Sequence, residues 1–586
     1  MKMKIRKALL LAAAFSLCCS QASQAFSHAM NQAADRRFEA LAKSYIERLM
    51  EMEPERATQL GDHRYDNRLN DYSLEGVRRS RALTQQYLSE LARIPVRRLS
   101  PANSIDYRIL RSRLEYNLFQ TDVLREYEWN PLRYNIGNAI YELLARDFAP
   151  LRVRLRNVRE RLRAVPSVVA AARANLKNPP RIHTETAISQ NKGTINLIRN
   201  ELDAFARQDA EARNELLAAQ TAALQSLEDY GRWLEGELLP RSTADFRLGD
   251  EKYRRKLAFA LESDMTKEEI LRRGLADLRS TQDEMYRVAL PLYRSYFPQE
   301  RDAARLADKR RVIKSVLARL AETRPSNDTI VELASKTLKE STDFVRSRNI
   351  VTVPDEPVKI IVMPEFDRGV AVAYCRPAPP LEPQGETLYA ISPTPKDWPA
   401  ARVESFFREY NNYMIQDLTI HEAMPGHYLQ LAHSNRFKAP TLIRAIFRSG
   451  TFAEGWAVYA EQVMAEAGYG GAEVRMQQLK MKLRTIINAI IDQKIHTAGM
   501  TEKEALDMMM NEGFQEEGEA AGKWTRARLT STQLSTYYVG VLEMNDIRRA
   551  YEAKARGRKL DYKELHNTML SFGTPAPKYV RRMMKL

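Results

Sequence analysis

Apolar residues recur every three or four positions along most of this 586-residue chain. The pattern is clearest in residues 168–176, 212–239 and 266–290, which are also rich in Ala, Leu, Arg, Glu and Gln. That spacing places apolar side chains on one face of a helix, and these residue types favour helical backbone. We therefore predict a mainly α, multi-helix fold. No repeat of fixed period is present, so a solenoid is not expected.

Proline, glycine and capping residues indicate where these helices begin and end. Residues 179–180, 249–250 and 297–298 contain Pro or Gly and are predicted helix boundaries, because both residue types disfavour continued helical backbone. Thr266 and Thr501 each precede a Glu by three positions, which is the arrangement of a capping box at a helix start. The predicted helices thus have sequence signals at their ends as well as internal periodicity.

One region departs from the helical pattern. Residues 357–363, 370–375 and 387–392 are short, β-favouring runs separated by Pro and Gly. We predict that residues 350–395 form a small sheet that helps to line a cleft, with an edge strand able to pair with an extended peptide. The alternative is a Pro-rich surface loop with hairpins.

The segment HEAMPGH at residues 421–427 carries the strongest chemical signal in the chain. In the common zinc motif, two His four residues apart on a helix bind Zn²⁺, and the Glu beside the first activates water. Here the His residues are six apart, which on a regular helix separates them by roughly 240° and about 9 Å. Pro425 and Gly426 together favour a bulge in the helix that returns His427 toward His421. The alternative is a helix ending at a Pro-Gly turn, with two His that never meet.

A third ligand is expected from a separate helix, because catalytic zinc sites use three protein ligands and leave one position open. Glu454 lies near the start of the next helical pattern and is the predicted ligand. Glu461 lies on nearly the same helix face and is the fallback ligand or a hydrogen-bond partner of one. Asp417 could hold the His421 imidazole, but we favour its alternative, an exposed carboxylate. We predict a site for one zinc ion formed by His421, His427 and Glu454.

The strings HEAMPGHYLQ and EGWAVYAEQ resemble those of the bacterial "domain of unknown function 885" family. The resemblance covers most of the chain after its first 25 residues. It implies a helical, zincin-like fold with a small sheet before the active-site helix, and a family of candidate metallopeptidases. The other matching segments are residues 140–141, 148–150, 151–166 and 245–249.

Near the C-terminus, residues 526–540 resemble the family's Arg…Gln…Tyr…Gly segment. The resemblance places Gln533, Tyr537 and Gly540 on the family's positions. It implies that Tyr537 stabilises the oxyanion formed during amide hydrolysis, which needs a hydrogen-bond donor beside the metal. Tyr538 is the second candidate, although neighbouring residues point in different directions on a helix.

Two positions depart from the family's pattern. Tyr428 stands where the family often has a second His directly after the motif, and Ser531-Thr532 stands where it usually has Pro before the Gln. Neither departure removes a predicted ligand. The second leaves the backbone geometry near Tyr537 open.

The remaining polar candidates complete the predicted chemistry. Glu422 is the expected general base, which takes a proton from water and passes it to the leaving amine. Arg526 and Arg528 could bind a substrate carboxylate through paired hydrogen bonds, with surface salt bridges as the alternative. His496 and His566 are expected to cap or pack, and neither is predicted to bind metal.

The first 25 residues resemble an export signal. A basic start at residues 2–7 precedes an apolar run at 8–19 and a small-x-small cleavage site at 23–25. The run is too short to span a bilayer, and no other segment is long and apolar enough. We predict a periplasmic or secreted protein. A lipid anchor on Cys18 or Cys19 is the less favoured alternative.

Domain organisation and charge follow from the rest of the chain. We predict an N-terminal helical region at residues 26–240 and a zincin-like catalytic region at 241–586. Removal of the signal leaves Cys375 as the only cysteine, so no intramolecular disulfide can form. The chain carries a net charge of +16, but its Arg residues are scattered along helices and accompany no nucleic-acid motif. Nucleic acid is therefore not an expected partner.

Together these patterns predict an exported, zinc-dependent peptidase that hydrolyses short or unfolded peptides by metal-activated water. A peptide substrate is the expected partner, and the sequence does not indicate an oligomeric state. Two alternatives stay open: a metal-dependent amidase or esterase acting on other substrates, and a non-catalytic helical module that binds a partner in the cell envelope.

Overall fold

The computed structural model of the chain describes residues 30–363, 372–382, 385–396, 398–555 and 560–586. Helices make up most of these residues, which confirms the prediction of a mainly α fold. None of the described helices has both the length and the apolar character needed to cross a membrane. The predicted export signal, with Cys18 and Cys19, lies outside the described residues, as do residues 370 and 371 of the second predicted β-run.

The helices fall into two groups, before and after a small sheet. The first group is α1 (residues 30–52), α2 (Pro54–Leu60), α3 (Leu74–Ala92), α4 (Pro101–Phe119), α5 (Gly137–Ala145), α6 (Leu151–Asn175), α7 (Arg181–Asn196), α8 (Leu202–Ala206), α9 (Ala210–Trp233), α10 (Asp250–Leu261), α11 (Lys267–Tyr296), α12 (Ala303–Ala307), α13 (Lys309–Leu320) and α14 (Ile330–Ser347). The second group is α15 (Ala400–Glu409), α16 (Asn412–Glu422), α17 (His427–Arg436), α18 (Ile443–Ile446), α19 (Gly450–Glu466), α20 (Gly471–Thr497), α21 (Glu502–Asp507), α22 (Glu517–Leu529), α23 (Ser535–Ala555), α24 (Tyr562–Leu570) and α25 (Pro577–Met583).

Both capping threonines lie at helix starts as predicted, but only Thr501 forms a complete capping box. Thr501 and Glu504 make a complete capping box at the start of α21, because each side chain accepts a hydrogen bond from the backbone N–H of the other. Thr266 caps α11 by accepting from the N–H of Glu269 at 3.2 Å. The helices also end where Pro and Gly predicted: α6 and α11 end before residues 179–180 and 297–298, and α10 begins at Asp250.

The region 350–395 contains the predicted sheet. Its strands are β1 (Val358–Val362), β2 (Ala373–Arg376) and β3 (Thr387–Ile391), in the spatial order β1–β3–β2. The central strand β3 is fully buried. It runs parallel to β1 and antiparallel to β2. The edge strand β2 contacts α16, the helix that carries His421.

Helix α20 forms the centre of the C-terminal half. It is buried along nearly its whole length and contacts α11, α16, α19, α22 and α23. One apolar core joins α14, the sheet, α16, α17 and α19, and a second joins α10, α11, α13 and α20. Helices α5, α6, α7 and α9 surround a core of their own. The first helices share a core with α18, where Asp106 and Arg444 form a buried ion pair at 2.5 Å. The helices around α20 therefore hold the motif on rigid elements.

Candidate metal centre

The HEAMPGH segment does not form one helix, because the chain turns at residues 423–426 between α16 and α17. The N–H of Gly426 donates to the carbonyl oxygen of Ile420, six residues back, at 2.8 Å. This wide turn returns His427 to the side of His421, with ring centroids 4.8 Å apart and ring planes at 86°. The two His meet as predicted, but the helix ends at the Pro-Gly turn, so the predicted bulge is replaced by a complete break between two helices.

Gly426 is required by a close approach of backbone atoms. A Cβ at this position would lie 1.9 Å from the carbonyl oxygen of His421 and 2.3 Å from that of Ile420, and neither atom can rotate away. The turn is held from the other side by Trp456 of α19, whose indole N–H donates to the carbonyl oxygen of Pro425 at 2.8 Å. Trp456 is buried, so water does not compete for this bond.

Gly426→Ala should therefore destabilise the fold and weaken metal binding. The added methyl group must displace two backbone carbonyls, which we expect to cost on the order of 3 kcal/mol of unfolding free energy. Denaturant unfolding and zinc titration of the metal-free protein measure the two effects. The control is Gly193→Ala in α7, where a Cβ meets nothing within 4 Å. Unchanged zinc affinity in Gly426→Ala would show that the turn tolerates a side chain.

The side chains of His421, His427 and Glu454 converge on one point. Nε2 of His421 lies 3.6 Å from Oε2 of Glu454, and Nε2 of His427 lies 3.4 Å from the same oxygen. One donor atom from each residue lies within 4.8 Å of the others. A tetrahedral zinc ion with bonds of about 2.0–2.1 Å separates its ligand atoms by about 3.4 Å. Both His–Glu distances are close to this separation, so the three side chains suit a metal of that size.

The charges of this site also favour a cation. Burial opposes the ionisation of Glu454, but the adjacent imidazoles of His421 and His427 outweigh it and hold the pKa of the carboxyl group well below its usual range. Burial likewise opposes the protonation of His421, but Glu454 and Glu461 outweigh it and raise the pKa of the imidazole. Oε2 of Glu454 is buried with no hydrogen-bond partner among the described residues. A divalent cation would satisfy this oxygen, although these features do not select one metal.

The ring of His421 is oriented by Glu461. Nδ1 of His421 lies 2.6 Å from Oε1 of Glu461, which leaves Nε2 facing Glu454. Glu461 thus takes the second of its two predicted roles, as the partner of a candidate ligand. Asp417 is only 1% exposed, so its interpretation as an exposed carboxylate is wrong. Burial and the negative charge of Glu461 raise the pKa of Asp417 well above its usual range.

Glu422 is held beside the site by the edge strand β2. The backbone N–H of Cys375 donates to Oε2 of Glu422 at 3.0 Å. Burial raises the pKa of Glu422, and the charges of His427 and His421 oppose this shift. A carboxylate with a raised pKa is better matched to accepting and releasing a proton near neutral pH. Glu422 thus has the position and the environment of a proton acceptor.

Glu454 and Tyr537 are brought together by a close crossing of α19 and α23. A Cβ at Gly455 would lie 2.5 Å from the backbone of Gly540, and a Cβ at Gly540 would lie 2.2 Å from the carbonyl oxygen of Thr451. Glycine at both positions therefore permits direct contact between the two backbones. Because Gly455 follows Glu454 and Gly540 lies one turn after Tyr537, both functional side chains project from this crossing.

The hydroxyl group of Tyr537 is positioned by two donors. Its oxygen accepts from Nη2 of Arg526 at 3.1 Å and from Nε2 of Gln533 at 3.3 Å. The ring stacks on that of His421, with centroids 6.5 Å apart. Burial and the charge of Glu454 raise the pKa of Tyr537, so the phenol stays protonated. Since both donors occupy acceptor sites of the oxygen, its own proton is available to another acceptor.

A strained turn precedes α23. Thr532 has a φ of 68°, a left-handed conformation that is rare for a β-branched residue. Asp492 of α20 holds this turn by accepting from the N–H of Thr532 at 3.0 Å and from Oγ of Ser535 at 2.9 Å. The sequence pointed to this turn only through its departure from the family's Pro, and it gave no sign that Asp492 anchors the helix of Tyr537.

Two predicted site residues face away from the metal candidate. Tyr538 donates to Oδ2 of Asp277 in α11 at 2.6 Å. The guanidinium of Arg528 lies over the ring of Trp524, 5.2 Å from its centroid. Arg528 is about 200° around α22 from Arg526, because two residues on a helix are separated by that angle. Of the predicted arginine pair, the structure brings only Arg526 to Tyr537.

His496 and His566 are buried and make hydrogen bonds within the protein interior. Nε2 of His496 donates to the carbonyl oxygen of Thr530 at 2.8 Å. Nδ1 of His566 donates to the carbonyl oxygen of Ile350 at 2.8 Å, and its Nε2 lies 3.0 Å from the hydroxyl of Tyr459. Burial lowers the pKa of His566 to about 4, so this ring is neutral. Among the described residues, neither His belongs to the group of converging donors.

The helices and these side chains define a mainly α protein with a candidate metal site of two His and one Glu. The chain belongs to the family described as "Bacterial protein of unknown function (DUF885)", whose pattern matches residues 54–584. This membership confirms the resemblance found in the sequence. None of the curated proteins is similar enough to the chain to count as a match.

Solved structures of two bacterial proteins have this fold. A candidate lipoprotein of unknown function from Shewanella oneidensis is 31% identical, covers 94% of this chain and 100% of its own length, and superposes with a TM-score of 0.79. A candidate lipoprotein from Colwellia psychrerythraea is 17% identical over 95% of this chain and 98% of its own, with a TM-score of 0.75. A metallocarboxypeptidase from Trypanosoma cruzi gives a TM-score of only 0.23 at 12% identity, over 69% of this chain and 98% of its own, which is too weak a likeness for any inference.

Proposed function

We propose that this protein is a zinc-dependent peptidase. The observation that carries the proposal is the convergence of donor atoms from His421, His427 and Glu454 within 4.8 Å of one another, beside Glu422 and Tyr537. Two imidazoles and one carboxylate are the protein ligands of a class of catalytic zinc sites that keep a fourth position open. The side chains of His427 and Glu454 are 14% and 20% exposed, so this position is reachable from solvent.

The residues around the metal position divide the work of hydrolysis. Bound zinc supplies Lewis acidity and lowers the pKa of water to about 7. Glu422 accepts a proton from the attacking water and then delivers it to the leaving amine. The hydroxyl of Tyr537 donates a hydrogen bond to the carbonyl oxygen of the substrate as negative charge develops there. Arg526 and Gln533 hold the Tyr537 hydroxyl in place.

The site favours extended substrates. His421 is only 7% exposed, so the bond to be cleaved must enter a recess. The edge strand β2 lies beside Glu422, and an extended peptide would pair with those of its backbone groups that Glu422 does not occupy. A short or unfolded chain can take that conformation, whereas a folded domain presents few such segments.

We also propose that the protein acts outside the cytoplasm. The basis is the export-signal pattern of residues 1–25, and the 31% identical Shewanella protein is named as a candidate lipoprotein. Mass spectrometry of the mature N-terminus distinguishes a released chain that begins at Phe26 from a lipid-modified chain that begins at Cys18 or Cys19.

Metal analysis tests the proposal directly. Protein purified without added metal should contain about one zinc per chain, and chelation should abolish peptide hydrolysis until zinc is restored. Ala at His421, His427 or Glu454 should weaken zinc binding by more than the ~10–100-fold that loss of a ligand's hydrogen-bond partner costs. The control is His433→Ala in α17, which removes a His that donates to the carbonyl oxygen of Thr352.

The substrate class needs a separate experiment. The zinc-loaded protein is offered a peptide library alongside panels of esters and non-peptide amides. Cleavage confined to the library supports a peptidase, whereas cleavage confined to the other panels makes the protein an amidase or esterase. Absence of bound metal, with no effect of chelator on any activity, would favour a non-catalytic envelope-binding protein.

A further inference from the structure

A cluster of charged side chains lies between α15, α20 and α22. Glu409 accepts hydrogen bonds from Nζ of Lys480 at 2.8 Å and from Arg484. Glu519 accepts from the neutral hydroxyl of Tyr410 at 2.8 Å. The carboxylate of Glu409 is therefore used by Lys480 and Arg484. Among the cations of α22, Lys523 faces Glu519, and Arg526 feels the charges of Glu454 and Glu519.

Lys523 and Arg526 share their acidic neighbours with other groups of the cluster. Nζ of Lys523 lies 3.6 Å from Glu519, beyond hydrogen-bond distance, and Arg484 approaches the same carboxylate oxygen equally closely. Arg526 donates through Nη2 alone, to Gln533 and Tyr537. The cluster therefore holds four cations, Lys480, Arg484, Lys523 and Arg526, against the two carboxylates of Glu409 and Glu519.

These two side chains lie beside the candidate metal centre. They are three residues apart on α22 and therefore neighbours on one helix face. Arg526 contacts Tyr537, whose ring stacks on His421. The side chain of Lys523 is 10% exposed, so it is largely buried at the edge of this cluster. Burial lowers the pKa of Lys523 to about 8, with Glu519 opposing the shift, so the amine is mainly cationic at neutral pH.

We propose that Lys523 and Arg526 form a subsite that binds a carboxylate of the peptide substrate. The inference rests on the proposed peptidase function and adds a substrate class to it, namely peptides with an anionic group near the cleaved bond. Cations in a partly buried site gain most from an ionised partner, because charge-assisted hydrogen bonds are the stronger kind. The carboxylate can be a C-terminus or an Asp or Glu side chain, and Lys523 takes the place that the sequence assigned to Arg528.

Binding without turnover tests the subsite. The full-length, zinc-loaded Glu422→Gln variant is titrated calorimetrically with three peptides of one sequence: a free C-terminal acid, a C-terminal amide, and an amide with Glu as its last residue. At least one acid-bearing peptide should bind about tenfold more tightly than the plain amide, the difference one charge-assisted hydrogen bond supplies. The better of the two identifies the source of the carboxylate.

Variants of Lys523 assign this preference to the subsite. Lys523→Met should remove most of the difference between acid and amide, and Lys523→Arg should retain it. Lys523→Gln gives the same comparison with a polar side chain if the Met variant unfolds more easily. Lys503→Met is the matched control, because it removes an exposed lysine in α21 with the same change of net charge.

Two results would overturn the subsite: equal affinity of the Glu422→Gln protein for all three peptides, or a full preference for the acid in Lys523→Met. Turnover by the native protein is measured in parallel. If it cleaves no peptide while the binding preference persists, the peptidase proposal falls and the carboxylate subsite stands.

Discussion

Glu422→Gln should lower kcat for peptide hydrolysis by about 10²–10⁴-fold while the protein keeps its zinc. Gln has the shape of Glu and can still accept the N–H of Cys375, which lies 3.0 Å from the carboxylate. Its amide cannot take a proton from water. Because Glu422 is not among the three converging donors, elemental analysis should give the same zinc content as in the native protein.

The control for this variant is Glu404→Gln. Glu404 lies in α15 and pairs with Arg324 at 3.1 Å on the exposed surface, so its replacement should change neither kcat nor zinc content. Persistent activity in Glu422→Gln would show that the proton acceptor is another residue. Loss of zinc from that variant would show that Glu422 itself contributes to metal binding.

Tyr537→Phe should lower kcat by about 10²–10³-fold with little change in KM. The substitution removes the only proton that Tyr537 can offer to the substrate oxygen, and the interaction develops mainly in the transition state. Steady-state kinetics of the zinc-loaded variant separate kcat from KM. Zinc content should stay the same, because the tyrosine oxygen is not one of the converging donors.

Tyr538→Phe is the matched control for this experiment. Its hydroxyl binds Asp277 at 2.6 Å on the other side of α23, so its loss should cost about 1 kcal/mol of unfolding free energy and leave kcat unchanged. Equal losses of kcat in Tyr537→Phe and Tyr538→Phe would mean that both tyrosines act by stabilising α23. A rise in KM alone for Tyr537→Phe would instead indicate a role in binding the ground state.

Features fixed by local backbone constraints could be predicted from the sequence. Pro425 and Gly426 indicated that the motif helix is distorted, because one lacks an N–H and the other accepts a close backbone approach, although the predicted bulge is a complete break. The three β-favouring runs became the three strands of the sheet, and Thr501 capped its helix as expected. Each of these depends on residues within one turn or one strand of each other.

Features that depend on how helices pack were beyond the sequence. Asp417 is one turn from His421 and was expected at the surface, yet α16 packs against α19 and α20, which buries it. The same packing brings Glu461 of α19 to the His421 ring from 40 residues away. Local spacing gives the direction of a side chain on its own helix, and it does not say which second helix faces that side.

The position of Tyr537 shows the same limit. Its backbone depends on a left-handed Thr532 and on Asp492, which lies 40 residues before Thr532 in the chain. Likewise, the sequence made Arg526 and Arg528 equal candidates for binding a carboxylate. They differ because α22 places Arg526 against Tyr537 and Arg528 over Trp524. These contacts follow from the tertiary arrangement and have no signature in the sequence nearby.

The crossing of α19 and α23 at Gly455 and Gly540 bears on how this protein can diversify. Neither glycine leaves room for a Cβ, so the spacing between Glu454 and Tyr537 is set in the interior. Arg526 of α22 and the backbone of β2 hold Tyr537 and Glu422 in the same way, so the site is fixed from three sides. We expect homologues to keep both glycines, whatever else changes at the surface.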